Sequence, residues 1–210
     1  MVSPGRLKVV DSYTYAWSWD SHSRKGDVMP SPKQSCAAED YWAQPEGVRA
    51  ELIGGELWDL ASPSRTHQEI VHELDKKLGN HIDAHGGSCK VYPAPFAVNL
   101  FADDTTFVEP DISVVCDRDK LSDRGCEGAP DFVVEVVSPS NPEMDYISKL
   151  NLYREAGVRE YWICDPQRER VLAYRFATEA VMDAYAFSQT VPAEVLPGFE
   201  VNFAKIIARM

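Results

Sequence analysis

An α/β fold, with a mixed β-sheet core flanked by helices, is predicted by three stretches of this chain. From Ser64 to His85, Ile70, Leu74, Leu78 and Ile82 recur every fourth position and Val71 widens the stripe, the pattern of a helix that buries one face. Asp131–Ser138 is a continuous apolar run broken by Glu135, and Glu160–Asp165 is a second buried-type run. Runs of that length fit strands covered on both faces.

The other elements follow in order. Residues 1–36 are rich in Ser, Pro and charge, with Tyr13, Tyr15, Trp17 and Trp19 among them, and sustain neither helical nor strand periodicity. They read as a flexible or loosely docked extension of a domain spanning 37–210. Cys36–Gln44 fits a short helix, broken by Pro45 and Gly47. Arg49–Ala61 is two short apolar runs about Gly54-Gly55, an N-terminal β-hairpin. Gly86-Gly87 ends the long helix. Val91–Leu100 and Thr106–Cys116 each read as one strand, parted by a turn at Ala102-Asp103-Asp104. Glu143–Ala156 forms a helix with Ile147, Leu150 and Tyr153 on its inner face, closed by Gly157. Arg170–Phe176 returns from a turn at Pro166, and a last strand covers Ala184–Ser188.

At 210 residues, 44% apolar and 26% charged, the composition is that of a globular protein. No apolar run approaches the roughly 20 residues of a membrane span, and the N-terminus lacks a signal-peptide layout, so a cytoplasmic protein is expected. Five scattered cysteines without a CxxC pair argue against a disulfide framework and a structural zinc site; Cys116 and Cys164 read as small core hydrophobes. The net charge of −12 runs against a protein that grips nucleic acid through phosphates, which normally shows a basic face.

Two acidic residues carry the chemistry. Glu135 interrupts Phe132–Val137, and strand alternation puts it on one face with Val133 and Val137. A carboxylate in such surroundings needs a partner. A metal ion supplies one; an edge-strand position open to water, or a buried arginine, fits this residue equally well. Asp111 follows Pro110 at the head of the apolar run Ile112–Cys116, and Pro110 suits a strand bend or edge. Two acids on neighbouring core strands offer the hard oxygens that Mg²⁺ takes at about 2.1 Å.

Pro110-Asp111 followed by Glu135 in an apolar strand resembles the PD-(D/E)XK nuclease superfamily. More specifically, the chain resembles its Uma-type family of restriction-endonuclease-like proteins. The resemblance rests on ELIGGEL (51–57), SPSRTHQEIVHEL (62–74), VEPDISVV (108–115), GAPDFVVEVVSPSN (128–141), DYISKLNLYREAGVREYWICDP (145–166) and LPGFEV (196–201). It implies a metal-dependent endonuclease acting on nucleic acid, expected to be DNA, with Mg²⁺ or Mn²⁺ held by Asp111, Glu135 and the carbonyl of Val136. Where the superfamily places lysine this chain has Val137, and the resemblance puts the lysine at Lys149 on the following helix. Read from the residues alone, Lys149 is better explained as a surface partner of Asp145 at i, i+4. Glu51 becomes a further metal or water ligand, with Asp145 and His67 in support. A homodimer is expected of an enzyme that cuts both strands.

Two other classes compete: a weak or inactive module of the same fold that acts by binding protein, and a small-molecule phosphodiesterase. A basic groove favours the nuclease and an enclosed pocket the small molecule. Walker, GxGxxG, GxSxG and HExxH motifs are absent from the sequence.

Overall fold

The computed structural model describes residues 7–8, 35–138, 144–177 and 181–210, the side chains of residues 7, 8, 144 and 145 excepted. Of the N-terminal 36 residues, only Leu7–Lys8, Ser35 and Cys36 fall within the described part.

The chain forms β1 (Leu7–Lys8), α1 (Ala38–Trp42), β2 (Ala50–Ile53), β3 (Glu56–Asp59), α2 (Arg65–His85), β4 (Lys90–Pro93), β5 (Val98–Asn99), β6 (Phe107–Val108) and β7 (Ile112–Val115). It continues through β8 (Leu121–Ser122), β9 (Gly125–Glu127), β10 (Phe132–Val136), α3 (Lys149–Ala156), β11 (Glu160–Asp165), β12 (Arg170–Arg175), β13 (Val181–Ala186), β14 (Thr190–Pro192), β15 (Glu200–Asn202) and α4 (Phe203–Ile207). A seven-stranded sheet runs in the order β1-β13-β12-β11-β10-β7-β4. The pair β10/β11 is parallel, its crossover carried by α3, and its other pairs are antiparallel.

The burial pattern explains the apolar runs. Phe132, Val134 and Val136 face a core shared with Ile70, Val71, Leu74, Leu78 and Ile82 of α2. Val133 and Val137 face the opposite side, in a core with Tyr153, Val158 and Tyr161. A strand covered on both faces has no polar side to show, so its sequence is continuously apolar. Ser64 caps α2 by accepting from the His67 amide, which fixes the first turn.

A second sheet, in the order β3-β2-β6-β5-β9-β8, was not expected. The runs 91–100 and 106–116, each read as one strand, are each divided between the two sheets: β4 and β7 lie in the large one, β5 and β6 in the small one. Pro95 and Pro110 cause the division, because a proline has no N–H for the ladder and the strand leaves the sheet there. The hairpin β2/β3 turns through Gly54 and Gly55 with φ of 58° and 81°, positive angles that a two-residue turn of this kind requires.

Two further expectations are corrected. Cys89 and Cys116 form a disulfide across β4 and β7, where the register Lys90↔Val115 sets them opposite each other one position further out. Ile147 is 60% exposed rather than core, because residues 144–148 form a π-helical turn ahead of α3 that shifts the phase of the inner face. Lys149 and Tyr153 take the buried positions instead, and Gly157 caps the helix in the left-handed region.

Candidate active site

Where the two strands cross from sheet to sheet, the acids meet. Asp111 lies immediately after Pro110 at the head of β7, and Glu135 lies near the end of the antiparallel β10, so both stand at the same end of the large sheet. Each accepts from a backbone amide at or beside the other. The Asp111 amide donates to Glu135 Oε2 at 3.3 Å, and the Val136 amide donates to Asp111 Oδ2 at 2.8 Å.

Glu135 is 3% exposed, yet well supplied with donors. Lys149 Nζ lies 2.8 Å and the Tyr153 hydroxyl 2.7 Å from its Oε1. Lys149 itself is 6% exposed and also lies 3.0 Å from Oε1 of Glu51, on β2 of the second sheet. The ammonium therefore sits between two buried carboxylates contributed by different sheets. A surface pairing of Lys149 is excluded by this burial; the Asp145 side chain lies outside the described residues. Burial and the Glu135 and Glu51 carboxylates raise the Tyr153 phenol well above its ordinary value, so it stays protonated and is the donor.

The remaining wall comes from α2 and from the bend before β7. His67 Nε2 lies 2.9 Å from Asp111 Oδ2, while its Nδ1 is buried without a hydrogen-bond partner among the described residues. Glu51 Oε1 accepts from the Glu109 amide at 3.0 Å, and Glu109 in turn holds Arg49 at 2.8 Å. Glu51, His67, Asp111, Glu135, Val136 and Lys149 thus all line one open cleft of about 200 Å³. The cleft is acidic. Glu51, Asp59, Glu109, Asp111 and Glu135 line it, against Arg49 and Lys149, so the basic groove expected of a nuclease is not at this place.

Three residues here were not singled out in the sequence. The helical spacing assigns Tyr153 to the core alone, and its position one turn after Lys149 brings it to the same carboxylate. Glu109, two residues before Asp111, carried no signal beyond its neighbourhood. Arg49 carried none.

The oxygen donors suit a divalent cation. Among the described residues no three of His, Cys, Asp or Glu converge into a cage. Mg²⁺ does not need one, since one or two carboxylates completed by water and phosphate are its usual protein ligands. Asp111, Glu135 and the Val136 carbonyl are the residues that would hold it, and the net negative lining would compensate its charge.

A mixed sheet with flanking helices, an N-terminal hairpin and two acids at the end of its central strands is a restriction-endonuclease-like fold. Residues 38–204 match the Uma2 family, described as putative restriction endonuclease, and the chain belongs to that family. It is 30% identical over 125 residues to an uncharacterized protein of Synechocystis sp., a match that spans 59% of this chain and 64% of the relative's length. The crystal structure of a putative nuclease belonging to DUF820 from Anabaena variabilis superposes with a TM-score of 0.67 at 19% identity, covering 82% of this chain and 97% of the other. At that identity the likeness concerns the fold. No helix among the described residues is long and apolar enough to cross a membrane.

Proposed function

We propose that the protein is a metal-dependent endonuclease that hydrolyses phosphodiester bonds, with DNA as its substrate. The observation that carries this reading is the buried Lys149 ammonium within 3.0 Å of both Glu51 and Glu135, beside Asp111 in an open acidic cleft. A lysine held by two carboxylates adds positive charge to a lining that is mostly negative, beside the acids that would hold the ion.

Asp111, Glu135 and the Val136 carbonyl hold Mg²⁺ or Mn²⁺ in this reading. When bound, the ion supplies a Lewis acid that acidifies water and offsets charge on the scissile phosphate. Lys149 orients the attacking water and stabilises the negative charge that grows as water adds to phosphorus. The P–O ester bond then breaks and the leaving oxygen takes up a proton. Tyr153 and the Asp111 amide hold the Glu135 carboxylate in one orientation, and His67 does the same for Asp111. Cutting both strands of a duplex needs two such sites, which a two-fold pair of chains supplies.

The test is cleavage of supercoiled and single-stranded DNA with Mg²⁺ or Mn²⁺, alongside Asp111→Ala. The reading predicts nicking or linearisation that requires the metal and is lost in the variant. Metal-dependent cleavage that persists in Asp111→Ala would place the chemistry elsewhere. Metal-stimulated hydrolysis of a small phosphodiester with no action on DNA would favour the small-molecule enzyme.

A further inference from the structure

The acidic cleft leaves a question of charge: what holds the rest of a polyanionic strand. Most cations around the site are already paired. Arg49 is held by Glu109, and Lys149 by Glu51 and Glu135. Arg170 differs. Among the described residues its one hydrogen bond goes to a neutral group, the Tyr146 hydroxyl at 3.2 Å, and its Nε is buried with no partner. A buried guanidinium N–H without an acceptor is costly, and an anion is what would complete it.

Arg170 does not stand alone. It faces Asp165 across the β11/β12 pair, and Tyr146 packs over both. The guanidinium carbons of Arg168 and Arg170 lie 5.8 and 5.5 Å from the centre of the Tyr146 ring. Asp165 takes Tyr146, one nitrogen of Arg168 at 2.9 Å and two backbone amides, so it offsets only one of the two arginines. The Arg168 side chain is 55% exposed.

The position matters as much as the charge. Glu135 is the register neighbour of Ile163 on β11, and alternation along that strand puts Asp165 on the same face, with Arg170 opposite it on β12. Arg170 therefore shares with Glu135 both the face of the sheet and the end of its central strands, and Arg168, in the turn between β11 and β12, joins it through Asp165 and the Tyr146 ring. Strand and residue spacings put Arg170 on the order of 12 Å from Glu135, two strands over and one pleat along. We propose that Arg168 and Arg170, organised around Tyr146, form a subsite for a phosphate of the substrate strand that is not the one cleaved. This rests on the nuclease reading above, and it explains how a chain of net charge −12 can hold nucleic acid: through one local cation pair and a metal rather than a basic face.

The experiment measures binding, not cleavage. Fluorescein-labelled single-stranded and duplex DNA is titrated with the otherwise unaltered parent protein in Ca²⁺, an oxygen-seeking divalent ion used in place of Mg²⁺ so that binding is read without cleavage, and with the same protein carrying Arg168→Gln and Arg170→Gln, over a range of salt. The double substitution is expected to weaken binding roughly tenfold at low salt and to lower the slope of log K against log salt by about one. Arg168→Gln alone should show part of both effects. A single neutral methylphosphonate linkage near the cleavage position should mimic the loss in the parent and add nothing in the double variant. If the parent binds DNA and the double variant binds it with the same affinity and slope, the subsite is wrong while the nuclease reading stands. If the parent binds no DNA at any salt, the nuclease reading and the subsite fall together.

Discussion

Two carboxylates are buried on neighbouring central strands, and their surroundings differ in kind. Glu135 on β10 and Glu160 on β11 are both almost wholly removed from water. Glu160 stands at the opposite end of the sheet, beside Phe132 on the α2 face. There Trp162 Nε1 and the amides of Glu194 and Val195 donate to its two oxygens at 2.7–2.9 Å. These donors are neutral and fixed, and they clasp the segment before Leu196 onto the sheet. Glu135 is met by an ammonium shared with Glu51, a phenol, and the amide of another acid, all beside an open cleft. Burial alone therefore does not mark a functional acid. The donors set the two apart: Glu160 is closed off by backbone and indole N–H groups, whereas Glu135 is balanced by side chains and an amide beside an open cleft.

The largest effect should come from Lys149. Its removal in Lys149→Ala leaves Glu51 and Glu135 buried against each other, a loss of about 3–5 kcal/mol of stability by urea unfolding. DNA cleavage should also fall at least about a hundredfold. An unchanged cleavage rate under single-turnover conditions would leave Lys149 a purely structural cation. Next is Glu160→Ala, which strands three donors and should cost about 3 kcal/mol. Its metal-induced stabilisation should nevertheless match the wild type, since the clasp is at the far end of the sheet. Metal binding itself should raise the melting temperature, by the equivalent of about 2.7 kcal/mol at a hundred times Kd. The rise should vanish in Asp111→Asn/Glu135→Gln and survive in Glu160→Gln; equal rises in all three would put the ion elsewhere on the acidic surface.

The smallest effect is one of pH, and it belongs to Glu160. Burial raises its carboxyl above the ordinary value, with the three N–H donors and Arg175 pulling the other way. A raised carboxyl binds its proton more tightly in the folded state than in the unfolded chain. Its contribution is therefore full below the ordinary carboxylate value and is lost as pH rises through the raised one. Unfolding free energy measured across that interval should fall with rising pH more steeply in the wild type than in Glu160→Gln. Parallel curves would show that Glu160 does not titrate differently in the two states.

The same contrast explains what could be read from the sequence. Glu135 stood out because it interrupts an apolar run, and a lone charge there needs a partner. Glu160 escaped notice because it is the first residue of its run, where an acid reads as the exposed end of a strand. Glu51, His67, Asp111 and Lys149 do meet Glu135 in one cleft. For Lys149 the residues alone allowed a surface pair with Asp145, and the family resemblance decided the choice. The second sheet was hidden for a simple reason: β5, β6, β8 and β9 have only two or three residues each, too few to display a period, and prolines divide two apparently continuous strands. The Cys89–Cys116 bond depends on register between strands 27 residues apart, which no spacing rule reveals.

The most direct test sets the two acids against each other in one assay: single-turnover cleavage of labelled DNA with saturating Mg²⁺ by wild type, Glu135→Gln and Glu160→Gln, at a temperature where all three are folded. The account predicts that Glu135→Gln loses about a thousandfold in rate, by removing a charge that holds the ion, while Glu160→Gln stays within a few-fold of wild type. Equal losses in both variants, or full activity in Glu135→Gln, would contradict it.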